Sequence, residues 1–102
     1  MNFCLIILAG GKSHRFKSNL AKPYQKIGGK SLLEININKA LNFNQIKKII
    51  VVFNKKDSKK VKNLKYKNIK FIVGGKSRKE STFNALKSMI KTKGITNVLI
   101  HD

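Results

Sequence analysis

Gly10 and Gly11 directly follow the apolar stretch Phe3-Cys4-Leu5-Ile6-Ile7-Leu8-Ala9, and Arg15 and Lys22 come shortly after them. A glycine pair at the end of a buried strand lets the backbone turn sharply and come close to a ligand. Amide groups in such a turn can face phosphate oxygens, while Arg15 and Lys22 supply fixed positive charge. In outline these residues suit a polyphosphate such as a nucleoside triphosphate. A second glycine pair opens Gly74-Gly75-Lys76-Ser77-Arg78-Lys79-Glu80-Ser81, and the run Val98-Leu99-Ile100 leads to His101-Asp102.

Two familiar glycine-rich phosphate motifs do not fit. Gly10-Gly11-Lys12-Ser13-His14-Arg15 lacks the G-x-G-x-x-G spacing of a dinucleotide-binding turn. Gly11-Lys12-Ser13 lacks the upstream glycine that a G-x-x-x-x-G-K-S/T loop requires. What remains is a glycine turn followed by an arginine, then Lys22-Pro23 and Gly28-Gly29-Lys30.

These residues need a scaffold, and the hydrophobic pattern supplies one. The apolar run from Phe3 reads as a buried first strand. Ser31 can cap a helix over roughly residues 32–43, although Leu32 and Leu33 make Ser31-Leu32-Leu33-Glu34 an imperfect capping box. Leu33, Ile37, Ala40 and Leu41 keep helical spacing within it. Lys48 to Phe53 is a β-branched second strand. Asp57 or Ser58 then caps a short helix carrying Val61 and Leu64, and Ile69 to Val73 forms a third strand.

Ser77-Arg78-Lys79-Glu80 has capping-box spacing, so a helix is expected from Arg78 to about Lys91, with Phe83, Leu86, Met89 and Ile90 packed into the core. Gly94 ends it, and Asn97 to His101 is a fourth strand. Strands alternating with helices over short connections predict an α/β fold, a mainly parallel sheet covered on both faces. Ligands of such sheets bind outside the carboxyl ends of the strands, where strand order reverses. A 3-2-1-4 order brings the Gly10 turn and Asp102 to that crevice and the Gly74–Ser81 loop to the same rim.

Lysine and arginine number 23 against four acids, a formal net charge of +19. Such a balance is the electrostatic footprint of nucleic-acid binding. Here the lysines run through every segment without a concentrated patch, and asparagine and isoleucine are abundant too, as AT-rich codons would produce. A nucleic-acid partner is therefore not expected, and helping to attract triphosphates is a milder alternative role for the charge. At 102 residues and 41% hydrophobic content the chain is one globular domain at most. Cys4 is the only cysteine, so an intrachain disulfide is excluded and a reducing cytoplasm fits. Residues 3–9 are too few to span a bilayer and no basic segment precedes them, so neither a signal peptide nor a membrane anchor is expected.

Ala9-Gly10-Gly11 through Arg15, with Lys22-Pro23 and Gly28-Gly29-Lys30, resembles the amino-terminal signature of the sugar- and polyol-phosphate nucleotidyltransferases. Gly74-Gly75-x-x-Arg78-x-x-Ser81-x-x-Asn84-Ala85-Leu86 and Val98-Leu99-Ile100-His101-Asp102 narrow the likeness to the 2-C-methyl-D-erythritol 4-phosphate cytidylyltransferase family. The resemblance implies a three-layer, Rossmann-like nucleotidyltransferase fold truncated after its fourth strand. It implies transfer of a cytidylyl group from CTP to methylerythritol phosphate for isoprenoid precursors, with Mg²⁺ as cofactor. By the same likeness Arg15 and Lys22 clamp the triphosphate, and Ala9, Gly10, Gly11, the Gly75–Lys76 backbone and Ser81 hold the nucleotide. Asp102 holds Mg²⁺ and the ribose.

The resemblance spans residues 1–102 as the amino-terminal, nucleotide-binding part of one domain. The family's later strands, substrate-phosphate residues, second metal carboxylate and homodimerisation arm are not within it. The chain is thus expected to be incomplete and inactive alone. Another acceptor, such as ribitol 5-phosphate, is the alternative within the superfamily, and a basic nucleic-acid-binding fragment the alternative outside it.

Overall fold

The computed structural model describes residues 1–10 and 24–102. Gly11, Arg15 and Lys22, three of the expected phosphate-loop residues, lie outside the described residues.

Four strands form one parallel sheet: β1 (Phe3–Ala9), β4 (Ile46–Phe53), β5 (Ile69–Val73) and β6 (Asn97–His101). Their spatial order is β5-β4-β1-β6, which is the expected 3-2-1-4 arrangement. β1 lies in the middle, paired with β4 from Cys4↔Lys48 to Ala9↔Phe53 and with β6 from Phe3↔Asn97 to Ile7↔His101. Side chains alternate across a strand, so β1 feeds two cores. Leu5, Ile7 and Ala9 join Ile49, Val51 and Phe53 on one face. Cys4 and Ile6 join Ile50 and Val52 on the other. Burial on both faces explains why these strands read as continuous apolar runs rather than alternating ones.

Helices cover each face. Leu33, Ile37 and Ala40 of α1 (Leu32–Leu41) and Val61 of α2 (Ser58–Lys62) pack on the first core. Ala85 and Met89 of α3 (Arg78–Met89) pack on the second. A two-residue hairpin, β2 (Lys26–Ile27) and β3 (Lys30–Ser31), precedes α1. Gly28 and Gly29 make its turn with φ of 61° and 86°, the left-handed backbone that side chains disfavour.

Local outcomes differ from the sequence reading in four places. Ser31 and Glu34 make a complete capping box, with the Glu34 amide 3.1 Å from Ser31 Oγ and the Ser31 amide 3.2 Å from Glu34 Oε1. Leu32 and Leu33 do not disturb it, because a capping box depends only on its first and fourth residues. Asp57 is not a side-chain cap: it is 3% exposed and pairs with Lys60 Nζ at 3.2 Å, while Asn54 caps the preceding 3₁₀ turn, Lys55–Asp57. The two longer helices also stop short of their expected ends, at Leu41 and Met89.

The fourth difference concerns α3. Only Met89 of the expected core stripe is buried; Phe83 is 62% and Ile90 78% exposed, and Leu86 is exposed as well. The helix carries two apolar rows. Ala85 and Met89, four apart, face the sheet, and Phe83, Leu86 and Ile90 lie about a third of a turn or more away. A small alanine lets the helix sit close to β1 and β4, and that contact sets its rotation. β6 also exposes Val98, Leu99 and Ile100, and among the described residues it is paired on one side only.

Tyr24, at 6% exposure, has a hydroxyl with no hydrogen-bond partner among the described residues, and Lys60 lies 5.3 Å from its ring centroid. Burial first, and Asp57 second, push its pKa well above the usual phenol range. Burial likewise raises the Cys4 thiol, against a smaller opposing effect of Lys48.

Two outcomes test this packing. Ala85→Leu overfills the α3–sheet contact and should cost about 1–3 kcal/mol in urea unfolding, whereas Phe83→Ser should change stability by no more than about 0.5 kcal/mol. Equal effects would mean that α3 is rotated from the position described. Cys4 should resist alkylation at pH 8 until denaturant is added, since only the thiolate reacts and the thiol is buried and pushed up; rapid labelling of the native chain would contradict its burial.

Candidate nucleotide-binding rim

A wholly parallel sheet places every carboxyl end on one edge. In spatial order that edge carries Gly74 after β5, Asn54 after β4, Gly10 after β1 and Asp102 after β6. Gly10 and Gly74 both close on the end of β4. A Cβ on Gly10 would lie 3.4 Å from the Asn54 amide nitrogen, and the Gly74 amide donates to the Phe53 carbonyl at 2.8 Å. A Cβ on Gly74 would stand 2.8 Å from Ser81 Oγ and 3.1 Å from Val52 Cγ1. Close approach thus requires glycine at Gly74, whereas a Cβ on Gly10 would make only ordinary contacts. Ala9 is buried with its side chain in the first core, so it can offer a ligand only its backbone.

The Gly74–Ser81 loop is organised by the start of α3. Ser77 caps the helix through the Glu80 amide at 3.1 Å, as its spacing predicts. Glu80 does not return the bond to Ser77. Its Oε2 instead accepts from the Lys76 amide at 3.2 Å, folding back over Gly75, where any Cβ would collide with the Glu80 side chain. The Gly75 amide donates to Ser81 Oγ at 3.0 Å. The Gly75 and Lys76 amides are therefore already engaged. The loop can offer a ligand its carbonyls and the Ser81 hydroxyl proton, for which no acceptor exists among the described residues. That combination, acceptors beside one donor, suits the mixed donor and acceptor edge of a nucleobase.

Arg78 is the residue whose role the sequence reading missed. From the first turn of α3 its guanidinium grips Asp102 with two hydrogen bonds, Nε to Oδ1 at 2.8 Å and Nη2 to Oδ2 at 3.0 Å. This is the planar, bidentate geometry that guanidinium and carboxylate favour. The pair joins the start of α3 to the end of β6. Arg78's hydrogen bonds hold the Asp102 carboxyl below the usual carboxylate range, helped by the positive charge of Arg78. Only sequence separation hid the pairing, since both residues stand in motifs already singled out.

Asp102 offers hard oxygen donors at an exposed position, and the described residues contain no cluster of three His, Cys, Asp or Glu. A dedicated all-protein metal cage is thus excluded among them. A single carboxylate fits an ion such as Mg²⁺ that takes its remaining ligands from phosphates and water. An open depression of about 900 Å³ lies against the outer side of α3, lined by Arg78, Glu80, Thr82, Phe83 and Leu86 among others. It meets the rim at Arg78 but is floored by the exposed apolar row, so its size says little about the nucleotide.

Of the expected site residues, the structure brings Ala9, Gly10, Gly75, Lys76 and Asp102 to the strand ends on this edge, and Ser81 to the first turn of α3, bonded to Gly75. Gly11, Arg15 and Lys22 fall outside the described residues.

Comparison with known proteins agrees with this geometry. The family model described as IspD, 2-C-methyl-D-erythritol 4-phosphate cytidylyltransferase, matches residues 3–102. A bifunctional enzyme IspD/IspF of Pelagibacter ubique is 55% identical over 102 residues, covering 100% of this chain and 27% of that protein. A 2-C-methyl-D-erythritol 4-phosphate cytidylyltransferase of Thermosipho melanesiensis is 44% identical over 95% of this chain and 44% of its own length. The crystal structure of 4-diphosphocytidyl-2C-methyl-D-erythritol synthase from Anaerococcus prevotii superposes with a TM-score of 0.77 at 32% identity, covering 99% of this chain and 42% of that one. The chain spans less than half the length of these relatives. The match from β1 to Asp102, on a fold with the same strand ends converging, means that this chain belongs to the 2-C-methyl-D-erythritol 4-phosphate cytidylyltransferase family.

Proposed function

We propose that residues 1–102 form the nucleotide-holding part of a single nucleotidyltransferase domain that uses CTP. The domain transfers a cytidylyl group to 2-C-methyl-D-erythritol 4-phosphate, releasing pyrophosphate, in isoprenoid precursor synthesis. The observation that carries this reading is the convergence of Gly10, the Gly74–Ser81 loop and Asp102 on one edge of a parallel sheet.

On this reading the base lies between Gly10 and the Gly75–Lys76 backbone. Loop carbonyls accept from the cytosine amino group, and the Ser81 hydroxyl, already accepting from Gly75, donates to a ring acceptor. Ala9 and Gly11 are assigned to nucleotide binding on the family resemblance. Arg15 and Lys22 clamp the triphosphate and stabilise charge that builds up at the α-phosphorus. An oxygen of the acceptor phosphate attacks that phosphorus in line, and the bond to the β-phosphate oxygen breaks as pyrophosphate leaves. The protein forms no covalent intermediate; positioning and electrostatics do the work. Asp102 would hold Mg²⁺, which when bound neutralises phosphate charge.

Contacts to the acceptor phosphate fall to the portion of the relatives that this chain does not span. No described helix is long and apolar enough to cross a membrane. A CTP-using enzyme with a buried free thiol suits the cytoplasm.

Calorimetric titration with CTP, UTP, ATP and GTP in Mg²⁺ should show CTP binding tightest. Equal affinity for all four, or binding to DNA that CTP does not relieve, would sink the reading. Pyrophosphate release from CTP with methylerythritol phosphate should stay at background for the 102-residue chain, and likewise with ribitol 5-phosphate. A rate near that of a full-length relative would show that the acceptor site lies within these residues after all. Ser81→Ala should weaken CTP binding roughly two- to tenfold, the loss of one or two hydrogen bonds, without lowering the melting temperature by more than a few degrees; an unchanged Kd would remove Ser81 from the base site.

A further inference from the structure

We propose that Arg78 is the resident counter-charge of Asp102, and that a divalent cation reaches this carboxylate by exchange with the guanidinium. The inference rests on the nucleotide–metal reading of the rim and makes Arg78 a positioning residue that tunes access to Asp102.

Three observations carry it. The fork takes one of the two lone pairs on each Asp102 oxygen, at 2.8 and 3.0 Å, so a cation meets a carboxylate that is already half engaged and faced by a fixed positive charge. A divalent ion on the same carboxylate would stand within a few ångströms of a guanidinium that cannot lose its proton, and their repulsion opposes joint occupancy. The backbones on either side are fixed independently. Arg78 sits in the first turn of a helix capped by Ser77, and Asp102 follows a strand held to β1 up to Ile7↔His101. Exchange therefore needs only side-chain rotation, with no change of fold.

Exposure makes the exchange easy. The Arg78 and Asp102 side chains are 62% and 68% exposed, and solvated ion pairs of this kind add little to stability. A buried pair would lock the ion out; an absent pair would leave Asp102 free to turn toward Lys79 or solvent. The observed pair keeps the carboxylate ionised and oriented, at a competitive cost that a doubly charged ion bearing phosphates can overcome. Other charged groups near the pair are His101 beside Asp102 and Lys79 and Glu80 beside Arg78, and Glu80 is engaged with the Lys76 amide.

The test uses Mn²⁺ as a spectroscopic stand-in, titrated by electron paramagnetic resonance into the chain with CTP present. Arg78→Gln should tighten Mn²⁺ binding about two- to fivefold, the size of an exposed ion pair, and Arg78→Lys should fall between it and the unaltered chain. Asp102→Asn should weaken binding and erase the effect of Arg78→Gln when the two are combined. The ¹⁵N-coupled resonance of Arg78 Nε–H should shift toward that of a free guanidinium as Mg²⁺ and CTP are added. Unchanged or weaker Mn²⁺ binding in Arg78→Gln, with Asp102→Asn still weakening it, would overturn the exchange while leaving the metal site intact. Mn²⁺ binding indifferent to Asp102→Asn would overturn both, because the carboxylate would then not hold the ion at all.

Discussion

β1 and β4 have no solvent face, and the arrangement of the other elements follows from that. A strand buried on both sides needs a strand on each edge and a helix on each face. β5 and β6 supply the outer neighbours, α1 and α2 one cover, and α3 the other. Because each connection is a crossover, all four strands run the same way, and their carboxyl ends gather on one edge. The convergence of Gly10, Gly74 and Asp102 is thus a geometric result of burying the apolar runs, and it needs no attraction among those residues.

Polar groups at that edge then sort themselves by local hydrogen bonding. Ser77, Glu80 and Ser81 each satisfy or accept an amide at the start of α3, so the loop is shaped before any ligand arrives. Such preorganisation reduces the ordering cost that a ligand would otherwise meet. Glycine is demanded at Gly75 because a glutamate side chain lies where its Cβ would be. At Gly28 and Gly29 the demand is different in kind, a left-handed turn in open space.

Strand order and the buried face of α1 could be read from residue patterns because each depends on periodicity that burial enforces over several positions. Ile69–Val73 and Asn97–His101 match to the residue. What escaped depends on single contacts. The rotation of α3, which exposes Phe83 and Ile90, is decided by how closely Ala85 meets the sheet, and an alanine carries little periodic signal. Asp57 has the type and position of a cap, yet it turns inward to Lys60 beside the buried Tyr24. Arg78 and Asp102 stand 24 residues apart, and only the crossover of α3 brings them together. Glu80 lies three residues after Ser77 as a capping box requires, but Gly75 leaves a space that draws its carboxylate one residue further back.

The central place of β1 also has a consequence in time. Of the four strands it leaves the ribosome before the others, and its nearest partner, β4, begins at Ile46. At about 5–20 residues per second, a strand of almost wholly apolar side chains waits roughly two to seven seconds for its first neighbour. β6 comes later still. Parallel pairing across such separations is slow and leaves edges open meanwhile. The lysines scattered between the strands give every nascent chain the same sign of charge, so their mutual repulsion would hold unfinished sheets apart during synthesis.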